Sequence, residues 1–154
     1  MHPTALKFQQ RAAQAGLPVE VEELAESTRT AAEAAQAVGC ELGQIVKSVV
    51  LVDGEGSPLL CLCAGDRMVD LAQLGAGVEM ARGRQVKEIT GFAIGGVPPL
   101  GHDRPLATVV DSSLQRYQRV WCAAGTPRSL FGVGLAELVA AIPAAQLREI
   151  AAPG

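Results

Sequence analysis

Thr90 to His102 reads TGFAIGGVPPLGH, and it spends glycine and proline too freely for an ordinary turn. Gly91, Gly95, Gly96 and Gly101 permit positive φ and close backbone approach, while Pro98 and Pro99 fix φ and remove two amide donors. With no Cβ at Gly95 or Gly96, a ligand can lie against the main chain, and the N–H groups of Gly95, Gly96 and Val97 can face a carbonyl or phosphate oxygen. The same composition also makes a wide turn between a helix and a strand. Lys47 is the second feature: it is a cation in the run Ile45–Val52, which otherwise holds only Ser48 and six Val, Ile or Leu residues. It either snorkels to water from an edge strand or puts its ammonium into a pocket for phosphate, carboxylate or carbonyl oxygen. His102 stands at the exit of the loop, and Ser27, Thr28 and Thr30 supply hydroxyls at a helix start. This set can stabilise an oxyanion and orient a water molecule, yet it has no obvious strong nucleophile. It suits a labile bond.

The absences narrow the chemistry. Only two histidines exist, His2 and His102, so neither an HExxH zinc site nor a three-histidine site can be built. Cys40, Cys61, Cys63 and Cys122 form no CxxC, and Cys61 and Cys63 share one face of a strand as small hydrophobes. No serine-hydrolase elbow, P-loop or dinucleotide fingerprint is present. No metal and no cofactor are expected. A net charge of −3 and a pI near 5.4 argue against gripping nucleic acid by overall charge, so any such contact must be local. DNA and membranes are not expected partners. The N-terminus lacks a signal-peptide pattern and no apolar run approaches the ~20 residues of a membrane span, so a cytoplasmic protein is expected.

The elements that must position these residues follow from periodicity. Pro3 to Gly16 reads as an amphipathic helix, Val19 to Leu24 as a half-exposed strand, and Ala31 to Val38 as a helix ended by Gly39, with Thr30 and Glu33 in capping-box spacing. Ile45–Val52 and Leu59–Cys63 flank an Asp53-Gly54 turn as a hairpin. Short helices are expected at Asp70–Leu74 and Arg84–Thr90, strands at Leu106–Val110, Val120–Ala123 and Leu130–Val133, and a last helix at Leu135–Ile142. Asp111 should cap the turn through Leu114, and the tail after Ile142 should fray. At 154 residues and mean hydropathy +0.24, residues 1–154 are expected to form one domain.

The segments Ala31-Ala-Glu-Ala-Ala with Gly39, Gln44-Ile-Val-Lys47-Ser, Thr90-Gly91, Gly95-Gly-Val-Pro-Pro99-Leu-Gly, Asp111 and Ala124-Gly125, in that order, resemble the YbaK/prolyl-tRNA-synthetase-associated editing domain. The resemblance runs from Thr28 to Leu138. It implies a free-standing trans-editing hydrolase that cleaves the ester of mischarged aminoacyl-tRNA, mostly tRNA(Pro) carrying a small wrong amino acid such as Ala, Ser, Cys or Thr. Lys47 matches the family's essential lysine and Gly95–Pro99 its GxxxP loop. By resemblance, Lys47 holds the terminal adenosine or its phosphate, and Gly95, Gly96, Val97 and Pro99 bind the aminoacyl group. Thr28, His102, Asp111 and Gly125 carry over as substrate contacts; for Thr28 and Asp111 helix capping, and for His102 an exposed loop position, is the competing account. The implied partners are the 3' end of aminoacyl-tRNA and prolyl-tRNA synthetase; the acidic charge implies either modest direct affinity for tRNA or delivery by the synthetase. A noncatalytic tRNA- or synthetase-binding module of the same fold is the alternative.

Short β-branched strands alternate irregularly with helices, and the resemblance implies the same architecture. The expected fold is α+β, with a mixed, strongly curved or barrel-like sheet of six or seven strands flanked by helices.

Overall fold

The computed structural model describes every residue from Met1 to Gly154. In chain order the elements are α1 (Pro3–Gln14), β1 (Glu22–Glu23), α2 (Ala31–Val38), β2 (Ile45–Val52), β3 (Pro58–Ala64), β4 (Arg67–Val69), β5 (Glu79–Met80), α3 (Gly83–Thr90), β6 (Ala107–Asp111), β7 (Arg119–Ala123), β8 (Ser129–Gly134), α4 (Leu135–Ala141), β9 (Gln146–Arg148) and β10 (Ala151–Pro153). The main sheet has eight strands in the order β1-β8-β7-β2-β3-β6-β9, with β5 added beside β2, and β4 pairs separately with β10. It is mixed: β2 runs parallel to β7, β3 to β6 and β6 to β9, and its remaining pairs are antiparallel.

The hairpin β2–β3 forms the centre, in register from Val46↔Ala64 to Val52↔Pro58. Its turn is built by Asp53, whose carboxylate accepts the N–H groups of Glu55 and Ser57. Alternation then sorts the side chains. Val46, Val50, Leu60, Leu62 and Ala64 enter the main core with Phe8, Phe92, Val97, Cys122, Phe131 and Leu138. Leu51, Cys61 and Cys63 go to the other face, joining Val109 and Ile150, and Ile45 packs on α2 through Ala34 and Ala35.

Each helix carries its sequence signals. α1 has proline at its start and a His2 cap whose Nδ1 accepts from Thr4 N–H; Ala5, Phe8 and Ala12 form its buried stripe. Thr30 caps α2 by accepting from Glu33 N–H, and Gly39 ends it in the left-handed region at φ 73°. α3 buries Val86, Ile89 and Thr90 and ends at Gly91. No helix is long and apolar enough to cross a membrane.

Three expectations change in detail. The main sheet has eight strands instead of six or seven. The Val19–Leu24 strand shrinks to the two residues of β1, because Pro18 denies an amide to any ladder there and only Glu22 and Glu23 pair, with Leu130 and Ser129. The tail does not fray: Ile150, 1% exposed, plugs the second cluster, its carbonyl accepts from Asp70 N–H at 2.8 Å, and β9 and β10 flank it as paired strands. Isolated three-residue strands carry too weak a periodicity to be read, and the burial of Ile150 comes from chain far away in sequence.

Phe8 and Phe131 stack with ring centroids 5.0 Å apart, both fully buried, and lock α1 to β8. Phe8→Ala is expected to cost about 3–5 kcal/mol, read as a lower urea midpoint with an unchanged slope.

Candidate functional site

β2 is a central strand with an interrupted flank. Its ladder with β7 covers Ile45↔Trp121 and Val46↔Cys122, and on the same side its ladder with β5 covers only Leu51↔Met80 and Val52↔Glu79, with Ala81 N–H reaching the Val50 carbonyl at 2.9 Å. Between the two, Lys47–Val49 have no strand partner on that side. Gly65 N–H binds the Ile45 carbonyl on the β3 side, so by alternation the main-chain N–H and C=O of Ser48 face the gap. Its side chain belongs to the row of Val46 and Val50, toward the main core. There the Ser48 hydroxyl is buried with no hydrogen-bond partner, the sole such buried side-chain atom in the chain.

The glycine loop reaches both banks of this gap. On one bank, Gly96 is packed on the exit of β7: a Cβ there would lie 2.7 Å from Thr126 Cα and 2.8 Å from the Gly125 carbonyl oxygen. On the other, a Cβ at Gly83, the first residue of α3 after β5, would lie 3.8 Å from the Ile94 side chain. Thr28 fixes the near bank, since both its N–H and its hydroxyl donate to the Pro127 carbonyl at 2.9 and 3.1 Å, and Pro127 Cγ is the nearest atom to where a Gly95 Cβ would stand. The structure therefore brings Thr28, Gly95, Gly96 and Gly125 together. Val97 and Pro99 are buried behind them.

The expected backbone donors survive with one exchange. Gly96 N–H is not free; it donates to Ala93 O at 3.0 Å and closes the loop on itself. The N–H groups of Gly95, Val97, Gly125 and Thr126 have no acceptor within the chain. Gly95 and Gly125 hold φ 90° and 108°, where a side chain is strained. The close approach that demands glycine at 96 is therefore to the Gly125–Thr126 backbone, and not to an open space.

Lys47 emerges on the face opposite Val97, as strand alternation requires. Its ammonium donates to the Arg67 carbonyl of β4, beside Cys63, its cross-strand partner. Asp111 lies near this second group, 1% exposed: its carboxylate accepts from Ala64 N–H at 3.0 Å and from the N–H and hydroxyl of Ser113 at 2.9 and 2.8 Å. It clamps the end of β6 to β3 and caps the following turn, so protein donors already occupy it. Burial pushes the Cys61 thiol up to about 12 and the Cys63 thiol up to about 11; neither is a thiolate nucleophile at neutral pH.

His102 is tied to the loop and does not point at solvent. Its Nε2 is 2.7 Å from the Pro98 carbonyl, which can only accept, so this nitrogen carries the proton. Its ring meets Phe92 edge-on at 6.4 Å. Burial holds its pKa below the ordinary 6.5, against the opposing pull of the Pro98 carbonyl, with Arg11 lowering and Asp103 raising it further out. No cluster of three or more His, Cys, Asp or Glu residues could hold a metal. A surface groove of about 1430 Å³ runs past Tyr117, Trp121, Gly132 and Leu135, between the segment after α1 and α4, and contains none of these residues.

Sequence reasoning missed Ser48. The available signal was a single hydroxyl in an otherwise apolar run, next to the one cation, but its isolation depends on where β7 and β5 stop.

Residues 25–141 match the aminoacyl-tRNA editing domain family, and the chain belongs to that family. It is similar to a solved structure described as that of a candidate trans-editing enzyme for prolyl-tRNA synthetase, at 45% identity and TM-score 0.90, covering 97% of this chain and 98% of that one. It is 35% identical over 115 residues to the uncharacterized protein YwhH of Bacillus subtilis (strain 168), covering 71% of this chain and 73% of that protein. It is 28% identical over 101 residues to EbsC of Enterococcus faecalis (strain ATCC 700802 / V583), a candidate Cys-tRNA(Pro)/Cys-tRNA(Cys) deacylase, covering 62% of each chain.

Two outcomes follow from this geometry. Gly96→Ala is expected to lower the thermal midpoint as well as to disturb the loop, because the obstructing atoms are backbone and cannot rotate away; an unchanged melt would show that the 96–125 contact is slack. The folded state takes up the His102 proton less readily than the unfolded chain, so stability falls as pH drops through 6.5 and downward, and is indifferent to this group above it. Denaturant titrations between pH 7.5 and 5 should show that slope, and His102→Gln should flatten it.

Proposed function

We propose that this chain is a trans-editing hydrolase that deacylates mischarged aminoacyl-tRNA, with tRNA(Pro) bearing a small noncognate amino acid, Ala, Ser, Cys or Thr, as its substrate. The observation that carries the reading is the unpaired stretch of β2 at Lys47–Val49, together with a loop that touches the exit of β7 and the start of α3 and whose Gly95 and Val97 amides have no acceptor. The editing-domain family and the printed descriptions of the prolyl trans-editing structure and of EbsC support the substrate class.

An aminoacyl ester is already activated, so the site need only position it, hold a water molecule and receive the charge that develops on the carbonyl oxygen. Water adds to the ester carbonyl, and the oxyanion is met by the amides of Gly95 and Val97, with Gly125 on the facing bank. The C–O bond to the ribose then breaks, and the ribose oxygen leaves with a proton as a restored hydroxyl. The products are a free amino acid and tRNA with an intact 3' end. Ser48 supplies a buried hydroxyl that can accept from the substrate amine or hold the water. Lys47, anchored by a single carbonyl, keeps two ammonium protons for the terminal nucleotide or its phosphate. Thr28 and Pro99 shape the banks, while His102 and Asp111 act through the segments they fix.

Proline must be spared. An apolar pocket discriminates by only ~10- to 200-fold per methylene, so exclusion rests on the bulk of the pyrrolidine ring and on the hydrogen bond its secondary amine cannot complete. The tight packing at Val97–Pro99 favours alanine and serine over threonine.

Hydrolysis of Ala-, Ser-, Cys-, Thr- and Pro-tRNA(Pro) measured side by side decides this. Cleavage of small-residue esters with the prolyl ester intact is expected, and rapid prolyl cleavage, or none of any, would overturn it. Ser48→Ala should lower kcat roughly 10- to 100-fold while leaving or raising the thermal midpoint, since it removes a polar group that has no partner. Equal turnover would make Ser48 a packing residue.

A further inference from the structure

The chain carries net charge −3, but the charge is not evenly spread. Residues 17–44 contain six glutamates, Glu20, Glu22, Glu23, Glu26, Glu33 and Glu41, against one cation, Arg29. α1 has Lys7 and Arg11 and no acidic residue at all. Three cations from two helices converge on the segment that leads into and out of the glycine loop. Arg11 Nη1 donates to Gly101 O at 3.0 Å and to Asp103 Oδ1 at 2.9 Å. Lys7 Nζ lies 3.9 Å from the same carboxylate oxygen and 4.6 Å from the centre of the Phe92 ring. Lys87 Nζ, from α3, donates to Gly91 O at 3.3 Å. Asp103 is the one carboxylate among them, held below the ordinary range first by Arg11 and then by Lys7 and Lys87. Arg104, exposed, follows it in the chain.

One carboxylate for three cations leaves an excess of positive charge, and Arg104 adds to it. Arg11 is spent on holding the loop. Lys7 and Lys87 are not: an ammonium over a ring and an ammonium on a carbonyl each retain donors and mobility, and a lysine acts on phosphate as a point charge. The patch adjoins the site in two ways, one along the chain and one through space. Gly91 and Phe92 continue directly to Gly95, and the carbonyl of Thr4, one turn before Lys7, would stand 3.0 Å from a Cβ on Gly125. A chain of phosphates crossing Lys7, Lys87 and Arg104 would therefore lead toward the glycine loop, while the glutamates of residues 17–44, which approach the start of α1 at Glu23, disfavour a path of the same polyanion over that segment.

We propose that Lys7, Lys87 and Arg104 form the docking surface for the phosphate backbone of the tRNA acceptor end, which rests on the deacylase reading above. The surface acts on binding and not on the chemical step, and it supplies the local electrostatic grip that an acidic protein otherwise lacks.

The test compares two substrates. Ala-tRNA(Pro) carries the backbone; the alanyl ester of adenosine has the same reacting bond and no phosphate. In the triple variant Lys7→Gln/Lys87→Gln/Arg104→Gln, KM for Ala-tRNA(Pro) should rise at least 10-fold at about 100 mM salt, and the slope of log affinity against log salt should flatten by about 2–3, near one per lost phosphate contact. kcat, and cleavage of the adenosine ester, should not change. An unchanged KM and salt slope, or equal losses on both substrates, would overturn the proposal. If the triple variant melts early, Lys87→Glu/Arg104→Glu, which leaves the Lys7–Phe92 contact intact, takes its place with the same expected outcomes. Binding of uncharged tRNA(Pro) by fluorescence anisotropy separates this proposal from the deacylase reading. A salt-dependent affinity lost in the variant, from a wild-type protein that cleaves no ester, would keep the surface and remove the enzyme. No binding of tRNA by the wild type at about 50 mM salt would remove the surface.

Discussion

A central β-strand cannot leave its main-chain polar groups facing apolar protein, because each orphaned amide or carbonyl costs roughly what a lost hydrogen bond costs. β2 meets this constraint on one side by seven consecutive pairings with β3, and on the other only in part, with β7 at one end and β5 at the other. The interval at Lys47–Val49 must be wet or filled by a ligand. Much else in the molecule follows from keeping it open. β7 must turn away after Cys122, which requires the left-handed Gly125. The turn must be covered without a side chain intruding, which requires glycine at 96. The covering loop must be anchored from outside, by His102 on Pro98 and by Arg11 on Gly101.

The same interruption explains why the donors stay available. An amide in a regular ladder is consumed by its neighbour, whereas Gly95 and Val97 lie in a loop too tightly bent to form one. Rigidity here comes from packing: Val97 is 4% exposed and joins the main core with Phe92. Donors fixed in this way need little reorganisation when charge appears on a carbonyl oxygen, which is the condition under which such groups are most effective.

How far this was legible in the sequence differs between fold and site. The hairpin, the four helices and the capping of α2 were readable because each has a local cause: β-branched residues at Ile45–Val52, Thr30 with Glu33 at the start of α2, Gly91 after α3; the His2 cap of α1 and the Arg82–Gln85 box of α3 were not. The loop was readable from glycine and proline alone. Three further things were not. Which face Lys47 occupies depends on strand alternation relative to a core defined by Phe8 and Phe131, far away in sequence. The orphan state of Ser48 depends on where two other strands end. The order of the tail depends on Ile150 finding a hole lined by Leu51, Cys61, Cys63 and Val109. In each case the residue was visible and its partners were not.

The placement of Lys47 and Ser48 on opposite faces of one strand has a chemical consequence. Neighbours in a strand diverge, so a lysine and a hydroxyl at adjacent positions cannot both reach one atom of a substrate. They can both serve a substrate that crosses the strand's open edge, with one end on each face. An aminoacylated terminal nucleotide has this form: a charged phosphate at one end, a small amino acid at the other, and the ester between them. Under the proposed deacylase reading the reacting carbonyl would lie over the main chain of Ser48, at the gap, within reach of the Gly95, Val97 and Gly125 amides, and the two side chains would act as separate anchors whose spacing is set by the strand itself. On the same reading, specificity for the amino acid would belong to the core-facing side, where the walls are packed, and tolerance of the nucleotide to the lysine side, where one ammonium meets one carbonyl.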